Sequence, residues 1–187
     1  MNNTQLTDSF IFMKVGNHAG ETFDKILERK KKEFDQAGMT FWGYGGMVCH
    51  PVNQVRPFSL SRKEKNGSIY LLMNYVKSNF SQSMIPAKEY SLDGQVWQPI
   101  PKDIVVTGSK YALVLDEIQP MGFEIDLGHF NVAIGPSKGK PGSEYLKGRT
   151  DKACLENNIF TSATTSDIRQ VDYAAQLKEP FAVMLKY

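Results

Sequence analysis

Cysteine is scarce: Cys49 and Cys154 are the only two in 187 residues, far apart and without a CxxC pair. That excludes a disulfide framework and a cysteine zinc site, and it makes a reducing cytoplasm the expected setting. Long apolar runs are also lacking. None approaches the roughly 20 residues of a bilayer-spanning helix, and the opening MNNTQLTDS has neither the basic region nor the apolar segment of a signal peptide. No membrane association is expected. Charge of one sign is missing too. The 22 Lys+Arg stand against 20 Asp+Glu, a net charge of +2, whereas binding to long nucleic acid calls for a clustered basic excess. The histidines His18, His50 and His129 form no HExxH-like pair, and neither a GxGxxG fingerprint nor a phosphate loop occurs. No metal or cofactor is expected.

What is present is an ordinary globular composition, 41% hydrophobic, 11% aromatic and 22% charged. A chain of this length buries roughly 70% of the surface exposed by its unfolded form. The apolar run at 10–15, stopped by Gly16-Asn17, predicts a buried strand. Residues 22–37 predict a helix with Phe23, Ile26, Leu27, Phe34 and Ala37 on one face and Gly38 as its stop. The charge run at 28–33 reads as that helix's solvated face. Residues 39–44 predict a second strand, 49–57 an irregular stretch, 59–67 an exposed polar segment, and 68–77 a strand covered on both faces.

Beyond them, Asp93-Gly94 predicts a hairpin turn between strands at 89–90 and 96–97. Further strands are expected at 104–107, 111–115, 123–127, 130–134 and 181–187. Residues 135–148 are too rich in Gly, Pro, Ser and Lys for a regular element, and 152–156 or 166–171 are candidates for short helices. With no repeat or linker, the expectation is one α+β domain over 1–187. Its sheet should be mixed or mostly antiparallel, with one main N-terminal amphipathic helix.

Three motifs offer chemistry. His18-Ala19-Gly20-Glu21 sits between a predicted strand and helix, where free amides and the helix dipole can hold a phosphate or carboxylate. Glu21 opposes an anion there unless it binds a ribose hydroxyl or caps the helix, and a tight turn is the plain alternative. Phe41-Trp42-Gly43-Tyr44-Gly45-Gly46 sets three aromatics among three glycines. Trp42 or Tyr44 can stack on a nucleobase, worth about 1–3 kcal/mol per base, with Gly45 and Gly46 admitting sugar or phosphate. The alternative is that the rings pack inward. Cys49-His50-Pro51, followed by Gln54 and Arg56, offers an imidazole contact, an amide to read a base edge and a guanidinium fork for phosphate. Lys138, Lys140 and Arg149 belong to a basic segment that is either a cover over an anionic ligand or a plain surface loop.

Together the His18, Trp42 and Cys49-His50-Pro51 motifs, with Gln54-Val55 and Pro57-Phe58, resemble a group of small phage and bacterial proteins. Small phage proteins of this size include counter-defence sponges, and the resemblance implies noncatalytic sequestration of a nucleotide-derived signal, a cyclic nucleotide or ADP-ribose derivative. The expected ligand-binding residues are His18, Gly20, Glu21, Trp42, Tyr44, Gly45, Gly46, His50, Gln54, Arg56, Lys138, Lys140 and Arg149, with two subunits sharing a pocket as one way to enclose the ligand. Two other readings stand beside it. One is an enzyme cleaving a nucleotide or ADP-ribosyl compound, with His18 and His50 as acid and base and Glu21 as orienter. The other is a structural or protein-binding phage component.

Overall fold

β1 (Ser9–His18) alternates its side chains between two cores, and the rest of the chain is arranged around that division. The computed structural model describes residues 8–45, 50–80, 83–158 and 165–187. Ile11 and Val15 enter a core shared with the two long helices, while Phe10 and Phe12 enter a second core on the opposite face. β3 (Tyr70–Phe80) runs parallel to β1 and is divided in the same way, Ile69, Leu71 and Met73 to one core and Tyr70 and Leu72 to the other. The expectation of a strand covered on both faces holds.

The sheet runs β2 (Thr40–Gly45), β6 (Tyr111–Leu115), β10 (Ile168–Lys186), β3, β1, β9 (Lys152–Asn157), β8 (Phe130–Val132). β4 (Glu89–Ser91) joins β10 and carries β5 (Gln98–Pro99), and β7 (Gln119–Asp126) pairs with β10 as well. Only the β1–β3 pairing among these is parallel. The architecture is therefore mixed α and β, dominated by its sheet. β10 is the seam: its first half pairs with β7 and β3, its second with β6 and β4, with a register break between Leu177 and Ala182.

α1 (Phe23–Ala37) begins and ends as expected. The Asn17 side chain accepts from the Phe23 amide at 3.0 Å, and Gly38, at φ 68°, donates to the Phe34 carbonyl at 2.8 Å. A second helix of equal length, α2 (Val52–Asn66), replaces the expected irregular and polar stretches, so the single main helix is corrected to two. Pro57 sits inside α2, where a ring and a missing N–H normally cost about 3 kcal/mol. Burial of Val55 and Phe58 in the first core offsets that. With so few buried positions, α2 carries no amphipathic stripe to read.

Other local expectations change for a common reason. Residues 152–156 and, within the second stretch, 168–171 are strand, because β1 and β7 supply the backbone partners that decide between helix and strand in a short segment. Residues 104–107 form no strand: the Val105 main chain bonds to side chains of α1 instead. The hairpin pairs Tyr90 with Gln98, which leaves Val96 and Trp97 in its loop. Within the basic segment, a short helical turn α3 (Gly142–Tyr145) follows a loop tied back to β8 by Val132 and Gly139.

Candidate functional site

The charge run of α1 is the first surprise of the site. Phe23, Ile26, Lys30 and Glu33 fall on one helical stripe, and all four are buried. Lys30 and Glu33 are therefore not part of a solvated face. They are tolerated because their polar atoms are paired: Lys30 donates to Glu33 at 2.8 Å, to the Phe41 carbonyl at 2.5 Å and to the Val105 carbonyl at 2.8 Å. Glu33 also accepts from the Thr40 hydroxyl, the Val105 amide and Arg29. Burial lowers the Lys30 ammonium to about 8, against the opposing pull of Glu33. Arg29 completes the network, bonding Glu21 at 2.6 Å, Glu33 at 2.9 Å and the Val105 carbonyl at 2.8 Å.

This network forms one wall of a cleft of about 80 Å³ between β1, α1, β2 and the 105–109 segment. Its apolar side is Met13, Val15, Ile26, Trp42 and Val106; its polar side is His18, Arg29, Thr107, Ser109, Asp151 and Lys152. The Trp42 indole N–H donates to Met13 Sδ at 3.3 Å, which fixes the ring against the wall. Gly43 lets the 107–109 segment approach: a Cβ there would lie 2.7 Å from Ser109 Oγ. Lys152 reaches the cleft because β9 sets it opposite Met13. Its ammonium donates to the Tyr44 carbonyl at 2.6 Å and pairs with Asp151 at 3.1 Å. Lys14 contributes to the wall, but its ammonium bonds the Leu146 and Gly148 carbonyls.

His18 is lowered below the usual imidazole range by burial, with Arg29 and Lys152 adding to the effect against a hydrogen bond to the Thr107 main chain. The shift favours the neutral imidazole, which carries one donor and one acceptor nitrogen.

Of the residues selected from sequence, the cleft brings together His18 and Trp42, with Gly43 between the expected rings. The others stand elsewhere. Gly20 lies in a two-residue turn with Ala19, both at positive φ, closed by reciprocal bonds between His18 and Glu21. Glu21 pairs with Arg29, and Asn17 occupies the Phe23 amide. The expected anion cradle is thus a satisfied turn. Tyr44 is fully buried, with its ring under Lys152 and beside Tyr111, so it presents no face for stacking. At Gly45 a Cβ would lie 3.1 Å from the Tyr111 ring, so the glycine makes room for that ring. Gly46 and Cys49 lie outside the described residues.

His50 is 2% exposed and does not line the cleft; its ring stands near Gly135, Gln54 and Tyr145. The His18–His50 acid–base pair is therefore not assembled in the cleft. Lys138, Lys140 and Arg149 are exposed and absent from its lining. Arg56 is used structurally: its guanidinium donates to the Ala182 carbonyl at 2.6 Å and the Leu92 carbonyl at 2.7 Å. Arg56→Ala should lower stability by about 1–3 kcal/mol through those lost charged hydrogen bonds, seen as a reduced denaturant midpoint. An unchanged midpoint would deny Arg56 that role.

Sequence reasoning missed Arg29 and Asp151, and it placed Lys152 only at the end of the basic segment, as part of a cover. The 23, 26, 30, 33 spacing was a signal for the buried pair on α1, and with it for Arg29 as its neighbour. For Lys152 no local signal exists, since only the β1–β9 register brings it to Met13.

A second groove, of about 460 Å³, lies over β2, β6 and β10 beside the Asp93 turn and is lined by Phe41, Tyr90, Leu92, Val96 and Val183 among others. Phe41 of the aromatic motif borders it, but none of the expected ligand-binding residues does. Among the described residues there is no group of three or more His, Cys, Asp or Glu side chains placed to hold a metal, and no helix long and apolar enough to cross a membrane. This chain matches no protein-family model, no curated protein and no solved structure.

Proposed function

We propose that this chain is a binding protein for a small nucleotide-derived ligand, which it holds without cleaving. The observation that carries the reading is the cleft whose lining combines Trp42 with His18, Asp151 and Lys152. A flat apolar wall with acceptors and a donor opposite is the pairing a nucleobase and its sugar require. The volume of this open cleft, about 80 Å³, is below the roughly 300–1,000 Å³ of sites that bury a whole drug-sized ligand. One ring enters, and the rest of a nucleotide stays at the mouth. The His18–His50 pair on which the enzymatic reading relied is not assembled in the cleft, which supports holding over cleavage. A role in phage counter-defence, lowering a host alarm signal by mass action, rests on the sequence resemblance and extends this reading.

The test is to incubate the purified protein with cyclic dinucleotides and ADP-ribose derivatives, separate bound from free, then heat the complex. One of these ligands should be depleted from solution and return chemically intact. Turnover beyond one equivalent would replace the binding reading with the enzymatic one. No depletion of any of them would shift the weight to a protein-binding role.

A further inference from the structure

Most of the charges around the cleft are paired. Arg29 meets Glu21 at 2.6 Å and Glu33 at 2.9 Å, Lys30 meets Glu33 at 2.8 Å, and Lys152 meets Asp151 at 3.1 Å. Three of the four cationic groups are matched by three carboxylates, and the fourth, Lys14, turns its ammonium to the Leu146 and Gly148 carbonyls, which hold it in place without cancelling its charge. A phosphate entering here would have to break an existing pair to gain one, and it would meet Asp151. The gain and the loss are of the same kind, so the net Coulombic attraction for an anion is small.

A neutral heteroaromatic ring meets no such conflict. It covers Met13, Val15 and Trp42 and exchanges hydrogen bonds at its edge with groups that already offer both signs: His18 as acceptor, the Asp151 carboxylate as acceptor, and Lys152 and Ser109 as donors. The small volume has the same implication, since a single ring system is what it admits.

We infer that the cleft recognises its ligand by an uncharged nucleoside ring and not by phosphate, so that the nucleoside end enters first and the phosphates project into solvent. This rests on the nucleotide-ligand reading above and adds which end of the ligand carries affinity. Burial of the ring and its edge hydrogen bonds supply the binding energy, and salt has little to screen.

The test uses the four ribonucleosides, their 5′-monophosphates and inorganic phosphate, titrated calorimetrically against the full chain. At least one nucleoside should bind within about threefold of its monophosphate, and raising ionic strength from about 0.05 to about 0.5 M should change its Kd by less than about twofold. Inorganic phosphate should produce no binding heat. Tryptophan emission gives a second readout: the nucleoside should perturb it in the native chain, while Trp42→Phe, which keeps a ring in the wall and leaves Trp97 as the remaining emitter, should abolish the perturbation. A monophosphate bound tenfold or more tightly than its nucleoside, or inorganic phosphate bound comparably, overturns the inference and leaves nucleotide binding standing. If neither nucleosides nor monophosphates bind while the larger nucleotide signals are captured, the inference fails alone. If no ligand of either set binds, the inference and the function it rests on fall together.

Discussion

Glu33→Ala is expected to destabilise the protein by about 3–5 kcal/mol, the largest effect of any single substitution considered for this chain. The reason is the order of the losses. Lys30 is 4% exposed, and its ammonium is held by the Glu33 carboxylate and two main-chain carbonyls. Removing the carboxylate leaves a buried cation that must discharge or draw water inward. It also strips the partner of the Thr40 hydroxyl and the Val105 amide, both of which bond to Glu33. At about 2–4 °C per kcal/mol for a chain of this size, the thermal midpoint should drop by about 6–20 °C. The same network forms the cleft wall, so the variant should also lose ligand affinity where it still folds.

A double replacement, Lys30→Met with Glu33→Leu, separates the two parts of the argument. Exchanging a buried ion pair for well-packed apolar groups is often close to neutral, whereas breaking it is not. The double variant should therefore be more stable than Glu33→Ala alone. If Glu33→Ala costs less than about 1 kcal/mol, the network does not hold α1 to the sheet in the way described.

The second large effect is acid lability centred on His50. Burial, with the Lys152 charge adding to it, holds this imidazole down to about 4, against 6.5 for an ordinary histidine. Among the described residues neither ring nitrogen has a hydrogen-bond partner. The folded state therefore resists protonation that the unfolded chain accepts. Between pH 6.5 and pH 4 the unfolded state binds more protons, so stability falls as the pH is lowered through that window. It is fully present above about 6.5. The gap corresponds to about 3 kcal/mol, lost by pH 4.

His50→Phe removes the titrating ring but keeps the main-chain carbonyl that accepts from the Tyr111 hydroxyl. Its unfolding free energy, measured by urea denaturation from pH 7 to 4, should fall less steeply than that of the native chain. Parallel profiles for the two proteins would show that another group governs the acid transition.

Both predictions concern residues the sequence presents misleadingly. Lys30 and Glu33 sit in a run that by composition belongs to a solvated surface, yet their spacing continues the stripe begun by Phe23 and Ile26. Local chemistry pointed outward and helical geometry inward. Geometry prevailed because the Val105 main chain and Thr40 supply the partners that make burial tolerable. Arg56 misled in the opposite direction, its guanidinium being taken by the Ala182 and Leu92 carbonyls. Trp42 and Tyr44 show the limit of alternation: both belong to the first core, but only the tryptophan borders the cleft, since the tyrosine ring is covered by Lys152 and Tyr111.

What nearest neighbours along the chain can enforce was readable locally. The apolar run of β1, the span of α1 with its glycine stop, the two-sided burial of β3 and the strand at 111–115 were all legible, because each depends on periodicity or on one residue's backbone freedom. Only the tertiary structure decided the rest. α2 formed across a proline and without a stripe because Val55 and Phe58 found the first core. The stretch at 152–156 became a strand because β1 offered it a partner, and that pairing alone carried Lys152 to Trp42's side of the sheet. Register between strands distant in sequence arises from contacts that no local window contains, which is why the ring and one histidine were readable in advance and the paired charges around their cleft were not.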